Sequence, residues 1–241
     1  MRTAAILPVK RLHRAKSRLG ASVADPLRGD LARAMVGDVL VALSQTSSIE
    51  RTIVVTGEDS VAAAAGYLGA LVVPDSDEQS QSAAVALGID AAIAEGFERV
   101  LCVPGDCPAL DSAELDALLS VPGAHTGPNS DEDPGSGSEV AIVPDRHGTG
   151  TNGLLLAPPD AIVPSFGPDS CERHRALARA AGAICRIQRL GSLLLDIDTG
   201  ADLAALRERL ADAHTSAPRT RSVLGLTVPA EDLEATRAGT G

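Results

Sequence analysis

Aromatic side chains are almost absent from this chain of 241 residues, which has no tryptophan, one tyrosine and two phenylalanines. Proteins that bind single-stranded nucleic acid or sugars usually stack the ligand on aromatic rings, so both functions are disfavoured. The core must therefore be built from Ala, Val, Leu and Ile. The net charge of -11 at pH 7 also disfavours general binding to nucleic acid.

Long apolar runs and paired cysteines are also missing. No stretch approaches the ~20 apolar residues of a membrane-spanning helix, and the first residues do not resemble a signal peptide. The four cysteines form no CxxC pair, which favours reduced thiols in the core. We therefore expect a soluble, cytoplasmic protein that binds neither membranes nor nucleic acid. The sequence is also compatible with a homodimer.

Basic residues are concentrated near the start of the chain. Residues 1–35 contain eight Lys or Arg and two acids, which leaves a local net charge of +6. Five of these cations follow directly after a strand-like run: Lys10, Arg11, Arg14, Lys16 and Arg18. Open α/β sheets bind ligands at such strand ends, so we expect a phosphate here, with a solvated basic loop as the alternative. A GxxxxGK[ST] loop is absent, and side-chain charges must therefore contribute to binding any triphosphate.

Short β-rich runs alternate with helical patterns along most of the chain. This alternation predicts an α/β fold with a mostly parallel sheet covered by helices. We expect one domain over residues 1–214, interrupted by a mobile loop at 121–138 that is rich in Gly and Pro. Residues 215–241 lack an apolar pattern and are predicted to form a mobile tail.

Aspartates end two of the predicted strands. Asp106 follows the fourth strand, and Asp196 and Asp198 end a strand predicted at Leu193 to Ile197. Alternation along an extended chain places Asp196 and Asp198 on the same side, where both can reach one ion. Magnesium prefers a few carboxylates together with phosphate oxygens and water, so a Mg²⁺ site is predicted. An isolated DxD is a weak signal, because such aspartates often cap loops or helices.

Two other segments are candidate anion sites. Residues 148–153 match GxGxxG but run into a strand-like segment instead of a helix, which argues against an NAD or FAD site. This turn can still bring backbone amides and Thr151 close to an anion. The second segment leads from Phe166 into a helix with Arg173 and His174 in its first turn; Ser170 either caps this helix or binds an anion at its start.

Taken in order, five segments resemble one enzyme family: LPVKxxxxAKSRL, GDCPAL, PDRHGTGTN, FGPDS and DIDTxxDL. The chain is similar, over about residues 4–210, to the guanylyltransferases of coenzyme F-420 biosynthesis. These enzymes join GTP to phosphoenolpyruvate or 2-phospho-L-lactate and release pyrophosphate. The resemblance implies a Rossmann-like three-layer sandwich of the nucleotidyltransferase (nucleotide-diphospho-sugar transferase-like) type.

The resemblance also implies roles for particular residues. Asp106, Asp196 and Asp198 match the magnesium ligands, and Thr151, Gly167 and Ser170 match the site for the phosphorylated three-carbon acid. The implied nucleotide site consists of Lys10, Lys16, Arg18, Ser82 and Gly105, of which Lys16 and Arg18, with Asp106, are the implied catalytic residues. The chain has Gln81-Ser82 where the family usually has Leu-Asn, which puts the contact to ribose or base in doubt.

The motifs leave several candidate functions for this chain. Guanylyl transfer to phosphoenolpyruvate is favoured, because an Ala-rich composition with Arg in excess of Lys resembles bacterial members that use it; 2-phospho-L-lactate and 3-phospho-D-glycerate are the alternative acceptors. Molybdopterin guanylyl or methylerythritol cytidylyl transfer would not explain FGPDS together with DIDT. A metal-dependent sugar transferase and a non-catalytic nucleotide-binding regulator are the more distant alternatives.

Overall fold

A computed structural model describes residues 1–12, 25–121, 137–212 and 215–226. Lys16 and Arg18, most of the loop predicted at 121–138, and the segment 227–241 lie outside the described residues. None of the described helices is long and apolar enough to cross a membrane.

Seven strands form one mixed sheet in the order β3-β2-β1-β4-β6-β5-β7. Four of the six neighbouring pairs are parallel, and only β6 runs against its neighbours. The mostly parallel α/β sheet predicted from the sequence is therefore confirmed. The strands are β1 Thr3–Val9, β2 Arg51–Thr56, β3 Leu71–Pro74, β4 Arg99–Cys102, β5 Glu139–Pro144, β6 Thr151–Ala157 and β7 Ile184–Ile187.

Helices cover both faces of the sheet. Strand β1 shows why: Ala5 and Leu7 point into one buried core and Ala4 and Ile6 into the other, as expected when successive side chains alternate between the two faces. The described helices are α1 Asp25–Gln45, α2 Asp59–Tyr67, α3 Gln81–Ala94, α4 Ser112–Ser120, α5 Ser170–Ala180, α6 Gly200–Arg209 and α7 Pro218–Val223.

The strand predicted at Leu193 to Ile197 is wrong. A short 3-10 helix, Gly191–Leu193, is followed by irregular chain up to the start of α6. The apolar alternation has another cause, since Leu193 is buried beneath the sheet and Ile197 in a separate core formed with α1 and α6. The Ile197 N–H bonds to the Asp106 carbonyl (3.2 Å) instead of joining a strand ladder.

The folded part of the chain extends further than predicted, because residues 215–226 contain helix α7, where the sequence predicted a mobile tail. Ala217 and Leu224 are buried against Leu31 and Met35 of α1. The buried Asp38 of α1 accepts the backbone N–H groups of Arg219 (3.1 Å) and Thr220 (2.8 Å) at the start of α7. A composition rich in polar residues concealed this packing, which combines buried apolar contacts with a carboxylate that is distant in sequence.

Replacing Asp38 tests this attachment. Asp38→Ala leaves two N–H groups at the start of α7 without their acceptor, so we expect the free energy of unfolding to fall by about 1–3 kcal/mol in urea titrations. Asp30→Ala, at an exposed position on the same helix, should change it by less than about 0.5 kcal/mol. Equal effects of the two substitutions would contradict the proposed attachment.

Candidate active site

A cleft of about 630 Å³ opens where the carboxyl ends of the parallel strands meet the start of β6. Its walls come from segments that are far apart in sequence: the end of β1 (Pro8 to Lys10), Asp75 after β3, Gln81 and Ala84 of α3, Pro104 to Asp106 after β4, Asp145 and Thr149 to Asn152 around β6, Phe166 to Ser170 before α5, and Asp196 with Asp198. The location agrees with the general rule for ligand sites in open α/β sheets.

The strand order arranges these groups in a row. Strands β1, β4 and β6 are neighbours, so Lys10, Asp106 and Thr151 follow one another along the edge of the sheet. Asp75 lies two strands beyond β1 on the other side. With ~4.8 Å between neighbouring strands, the four spacings from β3 to β6 make the row roughly 19 Å long. The cleft is therefore long enough for two substrates placed end to end.

The three predicted carboxylates all line this cleft. The hydrogen bond between the Asp106 carbonyl and the Ile197 N–H holds the segment of Asp196 and Asp198 against the turn after β4. On the other side, Asn152 of β6 donates from its side chain to the Leu193 carbonyl (2.7 Å) and to the Asp196 carboxylate (3.2 Å). Sequence reasoning did not identify Asn152, which has no signal beyond its place in the glycine-rich turn.

Asp198 is positioned by the start of α6. Its backbone N–H donates to the side chain of Asp202 (3.2 Å), which also completes a reciprocal capping box with Thr199. Arg146, in the turn after β5, forms an ion pair with Asp202 (2.5 Å). The turn that leads to Thr151 is therefore joined to the turn that carries Asp198.

Like charges crowd this part of the cleft. Burial, and then the nearby charges of Asp106 and Asp198, raise the pKa of Asp196 above its usual range, although the Asn152 hydrogen bond opposes the shift. Within the described ranges, no three His, Cys, Asp or Glu side chains form a ready-made metal cage. Magnesium does not require one, because it commonly binds one or two carboxylates together with substrate phosphates and water. The donor set fits a Mg²⁺ ion that arrives with a polyphosphate.

Backbone hydrogen bonds bring the two predicted anion segments together. The Cys171 N–H at the start of α5 donates to the Thr149 carbonyl (3.0 Å), and the Ser170 N–H donates to Gly167 (3.1 Å). Gly167 has a φ of 112°, a conformation that disfavours any side chain. Ser170 is the first residue of α5 and not its cap, a position taken by Asp169. Residues 148–153 lead into β6, as expected for a turn that is not a dinucleotide fingerprint.

Arg173 and His174, in the first turn of α5, both bind the loop that precedes this helix. Arg173 donates to the Ser165 hydroxyl (3.1 Å) and to the carbonyls of Ser165 (3.0 Å), Phe166 (3.2 Å) and Pro168. Arg173 does not line the cleft, so its placement beside an anion, suggested by the sequence, is replaced by a role in folding the loop. His174 is fully buried and contacts Thr151 and Ser165.

The remaining predicted residues divide into three groups. Lys10 and Gly105 line the cleft, and a Cβ at Gly105 would come within 3.0 Å of Val36. Ser82 is beside the cleft: its hydroxyl accepts the Phe166 N–H (2.9 Å), and its neighbour Gln81 lines the wall. Lys16 and Arg18 are outside the described residues. The buried Asp75 is a further wall residue that sequence reasoning missed.

The crowded carboxylates should reduce the stability of the fold at neutral pH. Because the pKa of Asp196 is raised in the folded state, the folded chain holds this proton more tightly than the unfolded chain. Ionisation therefore starts to destabilise the protein as the pH rises above about 3.9, and the full cost applies above the raised pKa. Asp196→Asn removes this cost and can still accept from Asn152.

We expect Asp196→Asn to raise the Tm at pH 7 by about 1–4 °C, with the difference shrinking as the pH is lowered towards 4. Thermal melts followed by circular dichroism are suitable, since the chain has no tryptophan. Asp90→Asn, at an exposed position on α3, is the control and should leave the Tm unchanged. A variant less stable than the wild type at pH 7 would contradict the proposed cost of ionising Asp196.

Solved structures share this architecture. A protein from Desulfovibrio desulfuricans G20 described as a nucleotide-diphospho-sugar transferase matches with a TM-score of 0.69 and 18% identity, covering 93% of this chain and 94% of that one. A CMP:2-keto-3-deoxy-manno-octonic acid synthetase complexed with CTP matches with a TM-score of 0.54 and 14% identity, covering 88% and 99%. At these identities the similarity establishes the fold, which is of the nucleotidyltransferase type as predicted.

Sequence relatives are more specific. A phosphoenolpyruvate guanylyltransferase of Conexibacter woesei is 46% identical over 93% of this chain and 96% of its own length. One of Sphaerobacter thermophilus is 37% identical over 86% of this chain and 93% of its own length. The family model described as "Guanylyl transferase CofC like" matches residues 3–231. The chain therefore belongs to the CofC-like guanylyltransferase family.

Proposed function

We propose that this protein transfers GMP from GTP to phosphoenolpyruvate and releases pyrophosphate. The product would be enolpyruvyl-diphospho-5'-guanosine, an intermediate of coenzyme F-420 biosynthesis. The observation that carries this proposal is the order of groups in the cleft: Lys10 at the end of β1, then the carboxylates, then the turn of Thr151 beside the loop of Gly167 and Ser170. A cation, a set of metal ligands and an anion site in one row suit a nucleotidyl transfer.

The triphosphate end of the site is assigned to the basic segment after β1. Lys10 is exposed and lines the cleft, where its ammonium group can neutralise phosphate charge. Lys16 and Arg18 are proposed to act with it, on the basis of the family resemblance. Gly105 keeps the turn before Asp106 free of a side chain, so that backbone and phosphate can approach closely. Catalysis by these cations would consist of stabilising charge that grows on the leaving pyrophosphate.

Asp106, Asp196 and Asp198 are the proposed ligands of Mg²⁺. When bound, the ion neutralises charge on the triphosphate and helps to orient its α-phosphate. Burial, and then the nearby charges of Asp106 and Asp198, raise the pKa of Asp196, and a cation bound between the carboxylates would offset both effects. Asn152 and the start of α6 hold the segment of Asp196 and Asp198 in place for this role.

The acceptor end is assigned to Thr151, Gly167 and Ser170. An oxygen of the acceptor phosphate would form a bond to the α-phosphorus of GTP, while the bond from that phosphorus to the bridging oxygen breaks and pyrophosphate leaves with the electron pair. Such a phosphate is already ionised, so neither an enzyme nucleophile nor a strong general base is required.

Cys107, beside Asp106, is fully buried and its thiol contacts the Leu193 carbonyl, which agrees with a role in packing.

Phosphoenolpyruvate is preferred over 2-phospho-L-lactate and 3-phospho-D-glycerate because the curated relatives of Conexibacter and Sphaerobacter carry its name. A cytoplasmic location is likewise proposed. It is supported by four cysteines that are all free thiols, three of them buried, which suits a reducing compartment.

Pyrophosphate release from GTP tests the reaction and the choice of acceptor. We expect release with phosphoenolpyruvate and a diphosphodiester product detectable by mass spectrometry, with lower kcat/KM for the other two acids. Release with 2-phospho-L-lactate or 3-phospho-D-glycerate instead would change the substrate but keep the reaction. If no acceptor supports release although GTP raises the Tm, a non-catalytic nucleotide-binding protein is indicated.

Substitution of the carboxylates tests the catalytic assignment. Asp196→Asn and Asp198→Asn should each lower kcat at least ~100-fold at saturating Mg²⁺, as expected when metal ligands are lost, while circular dichroism shows an intact fold. The control is Asp90→Asn, which removes one exposed carboxylate away from the cleft and should leave kcat unchanged. Near-normal turnover in the Asp196/Asp198 double variant would refute the metal assignment.

A further inference from the structure

The fully buried imidazole of His174 joins both halves of the acceptor site. Its Nδ1 lies 3.0 Å from the Thr151 hydroxyl oxygen at the start of β6. Its Nε2 lies 2.9 Å from the backbone nitrogen of Ser165, in the loop that leads to Gly167 and Ser170. Phe166 packs edge-on against the ring, with 5.1 Å between centroids. The ring therefore has two polar neighbours and is otherwise enclosed.

One of these two contacts determines the direction of the other. The Ser165 N–H can only donate, so Nε2 must accept and must carry no proton. A neutral imidazole has one N–H, which must then be on Nδ1. Burial, and then the charge of Arg173, lower the pKa of His174 to about 4, so the ring is neutral at physiological pH. Nδ1 consequently donates to Thr151.

The direction of this hydrogen bond fixes the role of the Thr151 hydroxyl. The oxygen accepts from His174, and this is its only side-chain hydrogen bond within the described part of the chain. The hydroxyl proton is left to donate to another group. Thr151 lines the cleft, and it is 7% exposed, so a ligand in the cleft is the group within its reach. A hydroxyl held as a donor suits an acceptor atom such as a phosphate or carboxylate oxygen.

We propose that His174 is a positioning residue that fixes the Thr151 hydroxyl as a hydrogen-bond donor to an oxyanion of the acceptor substrate. This inference rests on the proposed function, since it concerns the same acceptor site. The ring also holds the Ser165 N–H, so a single side chain sets the polarity of Thr151 and the position of the loop that carries Gly167 and Ser170. Arg173 completes the arrangement by binding the carbonyls of that loop.

The tautomer can be measured directly and without substrate. Long-range ¹H–¹⁵N correlation spectra distinguish protonated from unprotonated ring nitrogens, and the spectrum of His174→Gln identifies the signals of His174 among the five histidines. We expect a neutral ring protonated at Nδ1 throughout pH 6–8. A ring protonated at Nε2, or one that titrates in this range, would overturn the inference.

Kinetics separate this role from simple packing. Thr151→Val and His174→Leu should each raise the KM for phosphoenolpyruvate about 10- to 100-fold, the usual loss for a hydrogen bond to a charged group, with the KM for GTP unchanged. The two effects should be far from additive in the double variant, because both remove the same donated bond. The matched control is Thr46→Val, at a buried threonine directly after α1 whose hydroxyl donates to the Ala42 carbonyl; it should change neither KM.

Conservative replacements provide the rescue. His174→Gln places an amide oxygen towards the Ser165 N–H and an NH₂ towards Thr151, and Thr151→Ser retains the hydroxyl; both should recover most of the affinity for the acceptor. If His174→Leu does not fold, the tautomer measurement with the Thr151→Val and Thr151→Ser pair still decides the question. Absence of turnover in the wild type rejects the proposed function. Turnover in the wild type with an unchanged acceptor KM in Thr151→Val rejects the role of His174.

Discussion

The short segment of Asp196 and Ile197 is the point at which the site is held together. Two hydrogen bonds attach it, one from the Ile197 N–H to the carbonyl of Asp106 after β4 and one from Asn152 of β6 to the Asp196 carboxylate. Ile197 itself is buried in the core between α1 and α6. Asp106 and the segment of Asp196 and Asp198 are far apart in sequence, and these contacts hold the two segments together against the cost of burying like charges.

The cost of ionising Asp196 connects stability with function. Burial, and then the nearby charges of Asp106 and Asp198, stabilise the protonated form of Asp196, so its ionisation at neutral pH opposes folding. A cation brought by a polyphosphate would remove this cost, and substrate binding would then stabilise the protein as well as align the reactants. The net charge of -11 says little about such a ligand, because the charges that matter are local. Lys10 and Asp106 follow the ends of the neighbouring strands β1 and β4 in a protein that is acidic overall.

The acceptor end depends on groups that a ligand would not touch. Arg173 and His174 turn inwards from α5 and hold the loop of residues 165–168, while Ser82 of α3 receives the Phe166 N–H. These contacts position Thr151, Gly167 and Ser170 along the wall of the cleft. Since catalysis here would consist mainly of holding two polyanions in line, such positioning is what the fold has to supply.

Local signals in the sequence were enough to predict the mostly parallel α/β architecture, the family and eight of the residues that line the cleft, because apolar periodicity and motifs at strand ends are visible without the fold. The irregular chain at Leu193 to Ile197 and the packing of α7 on α1 through Asp38 could not be predicted in this way, because in both cases the interacting partner is distant in the chain. The same limit applies to Asn152, to Arg173 and to His174, whose roles depend on the direction of individual hydrogen bonds. A side chain's type is written in the sequence, but which neighbour receives its proton is set by packing.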